Sequence, residues 1–220
     1  MAIDSYAELQ SEILDTLNRE DLVADVSDYT PGTIEGAVKR AIAKAENRLA
    51  RRIRTRQLES STAISTVAST ETITLPTDWL GAKLLQLRKD PKVNLAPRDL
   101  QQLYEDFPSQ TPGQPAGYAV FGTQARLRPI PDSVMTVDVF YYAKPTPMSA
   151  AADNNVWLQN YPDLLLYGAL LELTAHLKED ERIQVWKGYF DEGIKDVTED
   201  NVMSRWTGAP IRQTIDVRSV

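Results

Sequence analysis

The sequence predicts an α+β chain that is mainly α. Its N- and C-terminal helices form a helical bundle, a β-rich region is inserted between them, and an extended C-terminal tail follows. Three observations carry this expectation. Two helical patterns fill the first 56 residues, and short Thr-, Ile- and Val-rich runs separated by turn residues follow them. Then comes Leu164 to Leu173, where Leu164, Leu165, Leu166, Tyr167, Ala169, Leu170, Leu171 and Leu173 cover every side of a helix. A helix apolar all round has to be enclosed all round. The order of elements sets the boundaries. Residues 1–56 are the N-terminal half of the bundle and 57–148 the β-rich insertion with one short helix. Residues 149–207 are the C-terminal half of the bundle and 208–220 the tail.

Ser5 with Glu8 three residues on is a capping-box signature, and Tyr6, Leu9, Ile13 and Leu17 follow at helical spacing. The first helix is expected from Tyr6 to about Arg19. Thr30-Pro31 is a second start signal. Ile34, Val38, Ala41, Ala45, Leu49 and Ile53 form the apolar stripe of a second helix ending near Arg54.

After Arg56 the grammar changes. Thr62 to Ala68 and Thr70 to Leu75 read as a small hairpin, and Leu84 to Arg88 with Lys92 to Leu95 as a second pair around the turn dipeptide Asp90-Pro91. Pro97 is expected to open a short helix carrying Leu100, Leu103, Tyr104 and Phe107. Ser109 to Gly117 has loop composition. Tyr118 to Phe121, Ala125 to Arg128 and Val134 to Tyr142 are further strand candidates. In the last, Val137, Val139 and Tyr141 share one face, opposite Thr136 and Asp138.

A Pro/Ala/Asn linker from Lys144 to Asn155 leads to the apolar helix, with Pro162 and Asp163 in its first turn, where both residue types are favoured. The final helix follows Asp180, with Ile183, Trp186, Phe190, Ile194 and Val197 on one face. Trp157, Tyr161, Leu165, Leu170, Trp186 and Phe190 are the expected structural core. Gly208-Ala209-Pro210 stops the last helix. The tail beyond it, with Ile211, Ile215, Val217 and Val220, is open to two readings: a frayed chain end, or a strand that adds to another subunit's sheet.

Composition narrows the chemistry. The hydrophobic share of 42% and charged share of 25% are those of an ordinary soluble globular protein. No signal-type apolar run or membrane-length segment is present, so a soluble, unsecreted product is expected. Zero cysteines exclude disulfides, thiolate metal sites and a thiol nucleophile, and the single histidine, His176, excludes a His-pair metal site. Glu172 and His176 lie four residues apart, which suits an acid/base pair or, more simply, a hydrogen bond at a helix end. No nucleophile motif or Gly-rich phosphate loop accompanies them.

The net charge of −7 conceals a polarity along the chain. Residues 1–30 hold eight acids against Arg19, whereas residues 31–56 hold eight bases against Glu35 and Glu46. Arg40, Lys44, Arg48 and Arg51 lie on one flank of the second helix, and Arg52, Arg54 and Arg56 crowd its end. Two readings are open: salt bridging within or between subunits, and contact with DNA phosphates. No aromatic residue interrupts the run, so base stacking is not supported and salt bridging is favoured.

Two segments carry a family resemblance. One is Tyr118-Ala-Val-Phe-Gly122 through Leu127-Arg-Pro-Ile-Pro-Asp132 to Tyr141-Tyr142-Ala-Lys-Pro145. The other is Trp157-Leu158, Tyr161-Pro-Asp-Leu-Leu-Leu-Tyr-Gly-Ala-Leu-Leu-Glu172, then Trp186 and Tyr189. With them the sequence resembles the head-to-tail connector (adaptor, or head-completion) proteins of tailed bacteriophages. The resemblance implies a structural virion protein of the neck, assembled in the host cytoplasm. It would form a homo-oligomeric ring, commonly of twelve copies, between the portal and the tail or nozzle. Double-stranded DNA would pass through the lumen without sequence recognition. It implies no enzymatic activity, cofactor, metal or membrane association. It also implies that the tail, here Ile211, Arg212, Thr214, Ile215, Val217 and Val220, reaches the portal or a neighbouring subunit. From the charge pattern, Arg40, Lys44, Arg48, Arg51 and Arg52 would supply electrostatics between subunits or towards DNA. The alternative function is a DNA-binding accessory protein using that same basic helix.

Overall fold

The computed structural model describes residues 3–17, 34–174 and 181–204. In chain order the helices are α1 (Tyr6–Leu17), α2 (Ile34–Arg52), α3 (Leu100–Asp106), α4 (Val156–Asn160), α5 (Pro162–Glu172) and α6 (Arg182–Met203). The strands are β1 (Glu59–Ser65), β2 (Thr72–Thr74), β3 (Trp79–Leu87), β4 (Val93–Asn94), β5 (Ala96–Pro97), β6 (Gly117–Phe121), β7 (Gln124–Arg128) and β8 (Thr136–Ala143). A short 3-10 turn, Arg56–Leu58, joins α2 to β1.

Local chemistry explains three of the helix starts. At α1 the Glu8 carboxylate accepts from the Asp4 and Ser5 amides at 2.7 and 3.1 Å, and Ser5 Oγ accepts from the Glu8 amide at 3.4 Å. That is the capping box in both directions. Asn155 caps α4 by accepting from the amides of Trp157 and Leu158. Asp99 caps α3 through the Gln101 amide. Pro97 therefore opens no helix; it lies in β5, and α3 begins three residues later.

The helical bundle expected from the sequence is not evident. The helices converge on α5 instead: α1, α2, α4 and α6 each pack against it, while α1 and α2 meet only marginally. The reason is the apolar circumference of α5. Leu164, Leu165, Leu166, Ala169 and Leu170 are all buried, so the other helices are drawn to it rather than into a layer of mutual neighbours. Gly168 lets two of them come close. A Cβ there would sit 3.1 Å from Phe190 Cε2 and 3.2 Å from Ala45 Cβ. Trp157, Leu165, Leu170, Trp186 and Phe190 lie in this helical core. Tyr161 is half-buried, its hydroxyl 3.3 Å from Gln57 Oε1.

The inserted region is not minor either. It forms two four-stranded sheets, ordered β1-β8-β3-β4 and β2-β7-β6-β5, the latter with β5 and β6 parallel. They share a second core of Ile73, Leu75, Leu85, Leu87, Leu127, Val137, Val139 and Tyr141 with their neighbours. The expected hairpin between residues 62–68 and 70–75 does not form. β1 pairs with β8 from Glu59↔Tyr142 to Ser65↔Thr136, and β2 pairs with β7 in the other sheet. Thr66 decides this. Its hydroxyl oxygen accepts from the Met135 amide at 2.8 Å and donates to the Ser133 carbonyl at 3.1 Å, tying the end of β1 to the start of β8. The second expected pair does form, as β3 with β4. Gly122 at φ +60° makes the tight β6–β7 turn.

One buried carboxylate joins the parts. Glu46 of α2 is 7% exposed, and its Oε1 accepts from Asn155 Nδ2 at 2.6 Å and from the Met148 amide at 3.4 Å. It thereby fixes the 144–155 linker against α2. Burial pushes its pKa above the usual carboxylate value, opposed by the two hydrogen bonds and Lys144. Nearby, burial and then the Glu46 charge push the Tyr6 phenol to about 12. A carboxyl whose folded pKa is raised binds its proton more readily folded than unfolded, so its contribution to stability falls as pH rises through the folded value. Glu46→Gln keeps an acceptor and removes the buried charge. The variant is therefore expected to gain on the wild type as pH rises from the ordinary carboxylate range, about 4–5, towards neutrality. Thermal melts of both proteins across that range check this, and a gap that widens on acidification would contradict it.

Candidate interaction surfaces

The basic residues of α2 divide into two groups. Arg48 Nη2 lies 2.7 Å from Glu172 Oε1, and Arg52 Nη1 lies 3.4 Å from Asp191 Oδ1. Both guanidinium groups also sit over the Phe190 ring, 5.7 and 5.8 Å from its centroid. These two arginines bind α2 to α5 and α6. At the end of the helix Arg54 turns back to the carbonyls of Ala50 and Ile53, and Arg56 Nη1 donates to the Ser204 carbonyl at 3.2 Å. Arg40, Lys44 and Arg51 differ. They are exposed, and no described residue pairs with them. Glu172 thus has Arg48 as its partner, and His176, the other half of the sequence pair, lies outside the described residues.

On α6 the sign is reversed. Between Asp191 and Asp200 stand five acids against Lys195, and all six side chains are exposed. Lys195 Nζ is 3.8 Å from Glu199; Glu192 and Asp196 have no partner among the described residues. Val185, Tyr189 and Met203 are 52, 51 and 72% exposed on the same helix, and the Tyr189 ring centroid is 5.2 Å from that of Tyr167 in α5. The expected stripe of α6, Ile183 to Val197, does not include these exposed apolar members. Their signal, Val185 and Tyr189 four apart and outside the Trp186–Phe190 stripe, was present.

The β region has its own charged cluster, also missed. Glu71 receives Arg126, and its Oε2 accepts from Arg128 Nη2 at 2.8 Å. Arg126 Nη1 donates to the Tyr104 hydroxyl at 2.8 Å, and the Arg128 guanidinium lies 4.8 Å from the centre of the Tyr104 ring. The cluster ties α3 to the second sheet. On the first sheet Arg88 brackets Asp138, and its hydrogen bonds hold that carboxyl below the usual aspartate value. Val67 and Val134 are 60 and 70% exposed where β1 ends and β8 begins, and Phe121 is 58% exposed at the β6–β7 turn. A groove of about 320 Å³ over β1, β3 and β8 is lined by Glu59, Ser60, Ser61, Lys83, Leu84 and Phe140.

Among the described residues no three of His, Cys, Asp and Glu group as metal ligands, and no helix is long and apolar enough to cross a membrane. The charged clusters are ion pairs tying elements together, and the surfaces left over present charge and apolar side chains in rows. Such surfaces suit protein contacts. The family description "SU10 adaptor protein" matches residues 4–214. The chain belongs to the SU10 adaptor family, a phage head-to-tail adaptor family. No curated protein matches the sequence. Membership implies a virion protein associated with portal and tail proteins, and an adaptor role suggests a structural protein rather than an enzyme. The tail residues Ile211, Arg212, Thr214, Ile215, Val217 and Val220 lie outside the described residues.

Proposed function

We propose that this chain is the neck adaptor of a tailed phage, assembled as a ring between portal and tail or nozzle, with twelve copies as the expected number. DNA passes through the lumen and no reaction is catalysed. The observation that carries this reading is the family match, which runs through both the helical part and the β region. The outward rows of charge on α2 and α6 support it, because a ring needs surfaces each copy can offer its neighbour. The net charge of −7 suits a conduit for a polyanion. The accessory DNA-binding alternative is less well supported: Arg48 and Arg52, two of its five basic residues, are already held by Glu172 and Asp191.

Two measurements test the reading. Light scattering and negative-stain microscopy, with the protein alone and mixed with portal particles, are expected to show rings. A strictly monomeric protein that ignores portal would overturn the proposal. Second, the C-terminal tail is assigned to portal or neighbour binding. Deletion after Gly208 is expected to leave a folded chain that no longer joins its partner, and normal assembly of the shortened chain would remove that role.

A further inference from the structure

Arg40, Lys44 and Arg51 stand at positions i, i+4 and i+11 of α2, which places them in one row at about 100° per residue. All three face away from the buried side of the helix, where Ala41, Ala45 and Leu49 lie. On α6, Val185, Tyr189, Glu192, Asp196 and Met203 stand at i, i+4, i+7, i+11 and i+18, again in one row, exposed along its length. The two rows do not meet within one chain. Asp191, which reaches Arg52, marks the flank of α6 turned to α2, and Glu192 lies about 100° further round. Tyr189, against Tyr167, confirms that the acidic row borders α5 on the side away from Arg52.

We propose that these rows are the two halves of one contact between copies: the cationic row of α2 docks on the acidic and apolar row of α6 of the next chain. The inference rests on the ring reading and gives it a specific interface. Charge complementarity selects the occupant. Among the described residues three cations on one face have no partner, and neither do two carboxylates beside exposed apolar residues on another. A second copy supplies the missing partner for both faces. Because the faces differ, the contact is head-to-tail and propagates until it closes. Val185 and Tyr189 provide an apolar end to the contact, and the ion pairs set its register.

The experiment reverses charge on each row separately and then on both. Arg40→Glu with Lys44→Glu gives a chain with two acidic faces, and Glu192→Lys with Asp196→Lys a chain with two basic faces. All four positions are exposed, and circular dichroism confirms the fold. Each reversed protein is expected to need at least about tenfold more protein to assemble, read by mass photometry or sedimentation. The chain carrying both reversals is expected to assemble like the wild type, and an equimolar mixture of the two single reversals to co-assemble. A ring indifferent to reversal on α6 would overturn the interface and leave the ring reading standing. That outcome, with DNA retention lost on reversing α2, would assign the cationic row to phosphate. A double reversal no better than either single would equally overturn it. A wild type that never assembles, alone or with portal particles, would overturn the ring reading itself.

Discussion

Replacing Phe190 with alanine is expected to destabilise the helical part by about 4 kcal/mol, the range for removing a fully buried aromatic ring. Phe190 is 1% exposed and lies where α2, α5 and α6 come together. The loss has two components. The ring's apolar area is gone, and the gap beside Gly168 cannot be filled because no side chain grows from that position. In addition Arg48 and Arg52 lose the aromatic face beneath them and are left with their carboxylates alone. For a chain of this length the change corresponds to a fall in Tm of roughly 8–16 °C. Phe190→Leu, which keeps most of the volume, is expected to cost less than half as much. Urea unfolding of both variants checks the pair, and equal losses would show that volume is not what matters there.

Glu71→Ala is expected to cost about 3 kcal/mol, through the β region rather than the helices. The carboxylate is shared by Arg126 and Arg128, and the Arg128 side chain is only 8% exposed. Taking the acid away leaves a nearly buried guanidinium group with only the Ser109 carbonyl and the Tyr104 ring beside it. Glu71→Gln retains an acceptor but not the charge, so a smaller loss is expected. The sharper control is Glu71→Ala with Arg128→Met, which removes the stranded cation and is expected to recover much of the stability. A double variant less stable than Glu71→Ala alone would contradict this account.

The sequence exposed those features that depend on neighbours in the chain. The capping box at Ser5 and Glu8, the stripe of α2, the β3–β4 pair around Asp90-Pro91 and the alternation of Val137, Val139 and Tyr141 are all short-range patterns. They appear in the structure as read. The features that escaped are long-range. Nothing local to Thr62 or Ile73 shows that β1 will choose β8, more than 70 residues away, over its sequence neighbour β2. The same limit explains the bundle. The apolar circumference of α5 was plain, but an all-round surface says only that it is covered, not whether its cover forms a layer or converges on it. The ion pairs of Glu71 and Glu46 were missed because a carboxylate in a charged composition carries no mark of burial. Of the basic row, residue type and spacing were legible; which cations were already engaged depended on where α5 and α6 lay.

The register Glu59↔Tyr142 places the beginning and end of the β region side by side. Every strand of both sheets comes from between those two points, so this part can complete itself while the rest of the chain is still being made. The helical part cannot. α2 ends at Arg52 and its main partner α5 starts at Pro162, about 110 residues later. At ribosomal rates the apolar stripe of α2 waits roughly 5–20 s for its cover. During synthesis every strand of the β region is therefore available before α2 meets its main cover.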